Sequence, residues 1–378
     1  MSPDDPLIIA AQRTPIGTRG RGLAGVTLDQ LTAPVMRASL RDSFEVLGGE
    51  YPVADVVIGN CMGPGGNPAR LAALAAGLDV SVPGMTVDRQ CGSGLAAILE
   101  AATAIRAGDA RLRLAGGAES ASTAPVRSID GAPYDRAPFA PAGFPDPEMV
   151  RAAEDLAAST GISRARQDAA ALRSHQRAAA ARAREAFAAE LVPLGGLDRD
   201  EAAGTVTPAM AHRFAPLIPG GTVTPGNSCR ISDGAAIVAL APAGSVPAGV
   251  PALALRAHAI IGCDPALPGI GAAPAIQAAL DQAGLTTASI DAFEIVEAFA
   301  AQLLAVLDAL EMDDADPRVC ADGGALALGH PWGASGAVSV VRLFSRLIRG
   351  GAPAGSLCVA AASIGGGMGI AAVFEVIR

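Results

Sequence analysis

Apolar residues in this chain cluster into short runs separated by glycine and followed by alanine-rich stretches. The runs at 7–11, 56–59, 112–115, 235–240, 293–296, 357–361 and 370–376 are continuous rather than alternating, the pattern of strands buried on both faces. Several are followed by Gly and then by a helical spacing, which predicts βαβ units in a layered α/β fold. The longest helical stretch, 163–191, has no Pro or Gly and opens on Ser163, a good N-cap. Two Pro-, Gly- and Asp-rich zones, 128–146 and 192–226, flank it. Residues 119–233 therefore read as an insertion over the core, where a lid or ligand clamp sits.

A weak internal repeat adds a symmetry. Gly94 opens L-A-A-I-L-E-A-A-T-A-I-R-A-G, and Gly336 opens A-V-S-V-V-R-L-F-S-R-L-I-R-G. Each copy follows a glycine-rich turn and ends in I-R before a glycine. The first turn carries Cys91 and the second follows His330, which suits a site shared between two pseudo-equivalent halves.

Composition narrows the chemistry. At 378 residues the chain can build two cores. Hydrophobic residues make up 51% and aromatics only 3%, so aliphatic side chains carry the packing. The net charge is −9 and all 28 basic residues are Arg. Nucleic-acid binding through a basic stripe is excluded, as are lysine Schiff bases and the P-loop lysine. Cysteines 61, 91, 229, 263, 320 and 358 form no C-x-x-C pair, and His175, His212, His258 and His330 lack metal-ligand spacing. No metal is expected. An acidic N-terminus and the lack of a long apolar run predict no membrane partner and a cytoplasmic location.

Three segments carry candidate chemistry. In D-R-Q-C-G-S-G-L, Cys91 sits between a predicted strand and a helix start, where the helix dipole can pull a thiol pKa down to roughly 3.5–7.5. Gly92 and Gly94 let N–H groups face a developing oxyanion; a buried, inert Cys is the other reading of that spacing. In G-G-A-L-A-L-G-H-P-W-G-A-S-G-A, His330 is fixed between Gly329 and Pro331, fit either to deprotonate the thiol or to cap the next helix. S-I-G-G-G-M-G, 363–369, makes an exposed N–H loop or a plain turn.

Together these segments resemble the thiolase family, whose members make or break β-ketoacyl-CoA thioesters by Claisen chemistry. The resemblance spans nearly the whole chain. It runs from A-A-Q-R-T-P-I-G and N-P-A-R through G-G-A-E-S-A-S and A-L-R-S-H-Q-R-A-A-A-A. It continues through T-V-T-P-G-N-S, S-D-G-A-A and V-E-A-F-A-A-Q to G-G-G-M-G. It implies two pseudo-equivalent βαβαβαββ halves, 1–118 with 234–250 and 251–378, forming an α/β/α/β/α core, plus the loop and CoA-clamp insertion 119–233.

By the same resemblance Cys91 is the nucleophile, His330 its base and oxyanion-hole donor, and the N–H groups of Cys91 and Gly365 a second oxyanion hole. Met149 lines the acyl pocket. Cys229, Arg230, Leu217 and Phe299 belong to the substrate and CoA site, with Cys229 where a Ser often touches pantetheine and Leu217 where an aromatic often packs on adenine. A coenzyme A thioester is the substrate, with no permanently bound cofactor. A homodimer is implied, with a homotetramer and a small partner protein as further possibilities.

Two positions depart from the family. Val296 replaces the Asn of N-E-A-F, which positions a catalytic water, and Ser363 replaces the second cysteine, which moves the α-proton. Neither Cys320 nor Cys358 occupies that missing position. A hydroxyl is a poor proton shuttle near neutral pH. The expectation is an acyltransferase of lipid metabolism that acylates Cys91 readily but has attenuated Claisen chemistry. An ordinary acetyl-CoA C-acyltransferase and a non-catalytic thiolase-like partner subunit are the alternatives.

Overall fold

The structure, a computed structural model, describes residues 2–134, 136–204 and 206–378. In chain order the first half contributes strands β1 (Pro6–Arg13), β2 (Gly17–Thr18), β3 (Val53–Gly59), β4 (Gly84–Val87) and β5 (Leu112–Ser120). Its helices are α1 (Leu28–Leu47), α2 (Pro68–Ala75) and α3 (Ser93–Arg106). The inserted region holds the ribbon β6 (Arg127–Ile129) and β7 (Ala132–Tyr134), then α4 (Met149–Thr160), α5 (Arg164–Ala183) and α6 (Pro208–Arg213). Strand β8 (Ser232–Pro242) returns to the first sheet. The second half follows with β9 (Ala252–Gly262), α7 (Ala272–Ala283), β10 (Ala292–Ile295), α8 (Ala300–Ala309), α9 (Ala325–Leu328), α10 (Trp332–Leu343), β11 (Leu357–Ile364) and β12 (Met368–Ile377).

Each half builds its sheet in the same order. The first reads β4-β3-β5-β8-β1 and the second β10-β11-β12-β9. In each, parallel pairing (β4 with β3 and β3 with β5 in the first, β10 with β11 in the second) leads into two antiparallel pairs. The halves meet where β1 pairs β9 at Leu7–Ala254 and Ile8–Leu253. Three apolar clusters define the layers. One joins α1 and α2 to the outer face of the first sheet, and one joins α7 and α8 to that of the second. The third, between the sheets, is built on α3 and α10. Every residue of α10 from Gly333 to Leu343 is buried, the polar Ser335, Ser339 and Arg342 included, as its place between the two sheets requires. The result is the expected α/β/α/β/α layering.

The repeat read from the sequence is the contact at the centre of this sandwich. A side chain at Gly94 would meet Ala337 N at 2.9 Å, and one at Gly336 would meet Leu95 N at 2.8 Å. The two helices cross reciprocally at their glycines, which brings the preceding turns, and with them Cys91 and His330, to one place.

One expectation shifts. The helix expected over 163–191 keeps its N-cap, with Ser163 accepting from Arg166 N–H, but ends at Ala183. Glu185 takes φ +58° and turns the chain, so that Phe187 and Glu190 enter the core instead of continuing the helix. The insertion is thereby anchored: buried Glu190 pairs with Arg13 of β1 at 2.7 Å and with Arg342 of α10.

Candidate functional site

The turn that presents Cys91 is tightly held. Gln90 sits at φ +47°, an uncommon backbone for a residue with a side chain. Ser93 Oγ accepts from Arg89 N–H at 2.7 Å and donates to Gln90 O at 2.6 Å. The Cys61 thiol donates to the same carbonyl at 3.1 Å. Gly92 has no room for a side chain, because Ile364 Cδ1 would lie 2.5 Å from its Cβ. That closeness lets the turn after β11 reach Cys91, where the Gly365 N–H pulls the thiol pKa down.

His330 comes from the second half. Its N–H donates to Arg230 O at 2.9 Å, and Gly329 beside it adopts φ +113° against Ser232. The imidazole is buried, with Nε2 3.3 Å from Cys91 Sγ and Nδ1 2.6 Å from Ser335 Oγ. The Ser335 hydroxyl donates its one proton to Pro331 O at 3.1 Å. It therefore accepts from Nδ1–H, which leaves the Nε2 lone pair facing the thiol. Ser335 was not singled out in the sequence; its place five residues after His330, on the first turn of α10, is the available signal.

The electrostatics correct one expectation. Burial pushes the Cys91 thiol up to about 12, against the pull of the Gly365 and Cys91 N–H groups, with Glu119 and Asp88 adding to the rise. Burial also pushes His330 down to about 4. The helix start does not lower the thiol pKa, because desolvation outweighs its partial charge. The resting pair is a neutral thiol facing a neutral imidazole, and the proton moves only when a developing charge calls for it. Cys91 remains partly exposed, so a substrate can reach the sulfur.

The family description "Thiolase, N-terminal domain" matches residues 7–244 and "Thiolase, C-terminal domain" matches 250–376. The chain belongs to the thiolase family. The Bacillus subtilis protein YhfS is 41% identical over 98% of this chain and 99% of its own length. An acetyl-CoA acetyltransferase of Pseudomonas aeruginosa is 40% identical over 97% of this chain and 98% of its own. The crystal structure of the Bacillus anthracis acetyl-CoA acetyltransferase superposes with a TM-score of 0.88, at 32% identity, covering 99% of both chains. This thiolase is thus an acyltransferase acting on acyl-CoA thioesters.

The remaining expected residues fall at different distances from the thiol. Cys229, its pKa already pushed up by burial, lies close enough to Cys91 that a thiolate there would raise it further. Its N–H donates to Ala298 O at 3.0 Å, and Ser228 bridges Phe299, so Cys229 is held against the turn between β10 and α8. Arg230 holds His330 through its carbonyl. Met149 begins α4, which packs on α8 and on residues 268–270. Leu217 is exposed on the loop after α6. Phe139, which the sequence did not reveal, covers the glycine loop; its ring lies 2.7 Å from where a Gly365 Cβ would be.

The two departures have distinct settings. Val296, buried just after β10, lines a small cavity with Leu328, Ser335, Ser339 and Arg342. The Ser363 hydroxyl donates to Gly269 O at 2.6 Å and accepts from Ala272 N–H at 3.0 Å. Its proton is committed to the backbone that starts α7. Among the described residues no group of three or more His, Cys, Asp or Glu is arranged to hold a metal ion. No described helix is long and apolar enough to cross a membrane.

Proposed function

We propose that this thiolase is an acyl-CoA C-acyltransferase in which Cys91 takes the acyl group and passes it to the α-carbon of a second acyl-CoA. The 3.3 Å contact between Cys91 Sγ and a bare His330 Nε2 carries this reading. As the sulfur attacks the thioester carbon, its proton passes to Nε2 and then to the departing CoA sulfur. The N–H groups of Cys91 and Gly365, which pull the thiol pKa down against burial, are the donors for the oxyanion that develops. Once Cys91 is acylated, Nε2 is free again. With the Ser363 proton committed to Gly269 O, His330 is the base within reach for the α-proton. The relatives named as acetyl-CoA acetyltransferases favour this full carbon–carbon reaction.

The second reading, acylation with attenuated Claisen chemistry, is favoured by Val296 and by the engaged Ser363 hydroxyl. Two measurements separate them. Incubation with acetyl-CoA and longer acyl-CoAs is expected to add the acyl mass to the peptide containing Cys91; no adduct with any thioester would sink both readings. Thiolysis of acetoacetyl-CoA is then compared with the Ser363→Cys/Val296→Asn double variant. On the proposed reading the rates agree within about threefold, whereas attenuation predicts a rise of about 10²-fold or more in the variant.

The assembly belongs to the same proposal. Strand β4 ends the first sheet with an unpaired edge, and Met85 on it is exposed, as are Leu71, Leu74 and Val80 nearby. An open apolar edge of this kind invites pairing with a second copy. Light scattering is expected to give twice the chain mass. Four times the mass would add a further interface, and a monomer at micromolar concentration would rule the dimer out.

A further inference from the structure

Glu119, the last residue but one of β5, has no solvent exposure and is not part of the mechanism above. Its carboxylate accepts four N–H groups from two segments that belong to opposite halves. Oε1 takes Asn60 Nδ2 at 2.9 Å and Met62 N at 3.1 Å; Oε2 takes Cys61 N at 3.2 Å and Gly333 N at 3.0 Å. Gly333 is the second residue of α10, so the carboxylate caps the end of that helix where N–H groups point outward and negative charge is favoured. The same helix carries Ser335, which orients His330. On the other side, Cys61 supports the Gln90 carbonyl in the strained turn that presents Cys91. An unbroken series of contacts thus runs from α10 through Glu119 and Cys61 to Gln90 and the nucleophile. Close approach is enforced on the helix side as well: a Cβ on Gly333 would sit 3.0 Å from Glu119 Oε2, and one on Gly117 would strike Gly333 O.

We infer that Glu119 is a positioning residue that sets the separation of Cys91 and His330 across the two halves and places a buried negative charge beside the thiol. The charge has a readable consequence. Burial pushes the Glu119 carboxyl up to about 7, against the pull of the Gly333, Met62 and Cys61 N–H groups. The ionisable groups facing it are the Cys61 and Cys91 thiols, with Asp88 also acting on both sulfurs. Above neutral pH the Glu119 anion opposes formation of the Cys91 thiolate. A neutral side chain there lowers the thiol pKa, so the nucleophile ionises more easily while its alignment with His330 is lost.

The inference rests on acyl transfer through Cys91 for its kinetic half only; alkylation of the thiol tests it without any turnover. In Glu119→Gln an NH₂ group must face two N–H donors that now meet an oxygen. The pH midpoint for Cys91 alkylation by iodoacetamide is expected to fall by about one unit or less, and kcat by roughly 10- to 100-fold, with KM for the acyl-CoA within about twofold. A normal kcat with an unmoved alkylation midpoint overturns the inference, as does a loss confined to melting temperature. Should Glu119→Gln fail to fold, the link through Cys61 decides. Cys61→Ala removes the donor to Gln90 O and is expected to lower kcat several-fold, while Cys61→Ser restores it; equal activity in all three overturns the inference.

Discussion

Replacing Cys91 by alanine is expected to eliminate the acyl adduct and to lower turnover by about 10⁴-fold or more, the scale seen when a nucleophile is removed from a site that otherwise stays intact. No neighbouring thiol is placed to take over. Cys229 and Cys61 both feel the charge of Cys91, but the Cys91 sulfur alone is recorded within hydrogen-bond reach of His330 Nε2 among the described residues. The Cys61 proton is donated to Gln90 O, and burial pushes both thiols up. The fold should be indifferent, since alanine fits where the sulfur is partly exposed. Peptide mass analysis after acyl-CoA incubation, together with the thiolysis rate, reads the result. Retained activity would hand the chemistry to another residue, and an unacylated wild type would favour a scaffolding subunit.

The strands were legible because each apolar run is buried on both faces, as at 235–240 within β8, where all eleven residues are buried. Strand β9 escaped notice: Arg256 and His258 interrupt its apolar run, and its place comes from pairing with β12 rather than from propensity. The glycine repeat was legible because a helix crossing this close tolerates no side chain. The end of α5 was not. The stretch through Glu185, Phe187 and Glu190 is helix-prone, and only the long-range demand of Arg13 and Arg342 for Glu190 overrides it. Cys91 and His330 were legible as a pair because each precedes one copy of the glycine-opened helix and lies in a segment that resembles the thiolase family, although either turn alone also suited a structural role. The balance between helix dipole and burial was not, since desolvation depends on neighbours from both halves. Glu119 lay within a recognised motif, but its role depends on Gly333, more than two hundred residues away in the chain.

The second large effect expected is on stability, at Glu190. Its carboxylate bridges Arg13, at 2.7 Å, and Arg342, with all three side chains at most 2% exposed. Asp200 completes Arg13 through two bonds of 2.6 and 2.8 Å, and Asp322 pairs with Arg342. The Phe187 ring lies 5.4 Å from the Arg13 guanidinium and 4.5 Å from that of Arg342. This cluster ties β1, the insertion and α10 together, so it holds the second half's central helix against the first half. Glu190→Ala leaves two buried guanidinium groups short of an anion and opens a space beside Phe187. Breaking one partner from a buried ionic group costs about 3–5 kcal/mol, a large share of the ~5–15 kcal/mol that separates folded from unfolded in typical proteins. The melting temperature is expected to drop by several degrees or more. Because the cluster is shielded from solvent ions, the drop should persist undiminished in about 0.5 M salt, whereas the contribution of an exposed pair would be screened away. A melting temperature within about a degree of wild type would show that the insertion is held to the two halves by apolar packing rather than by these charges, and a loss that disappears with salt would show that the charges act as an exposed pair.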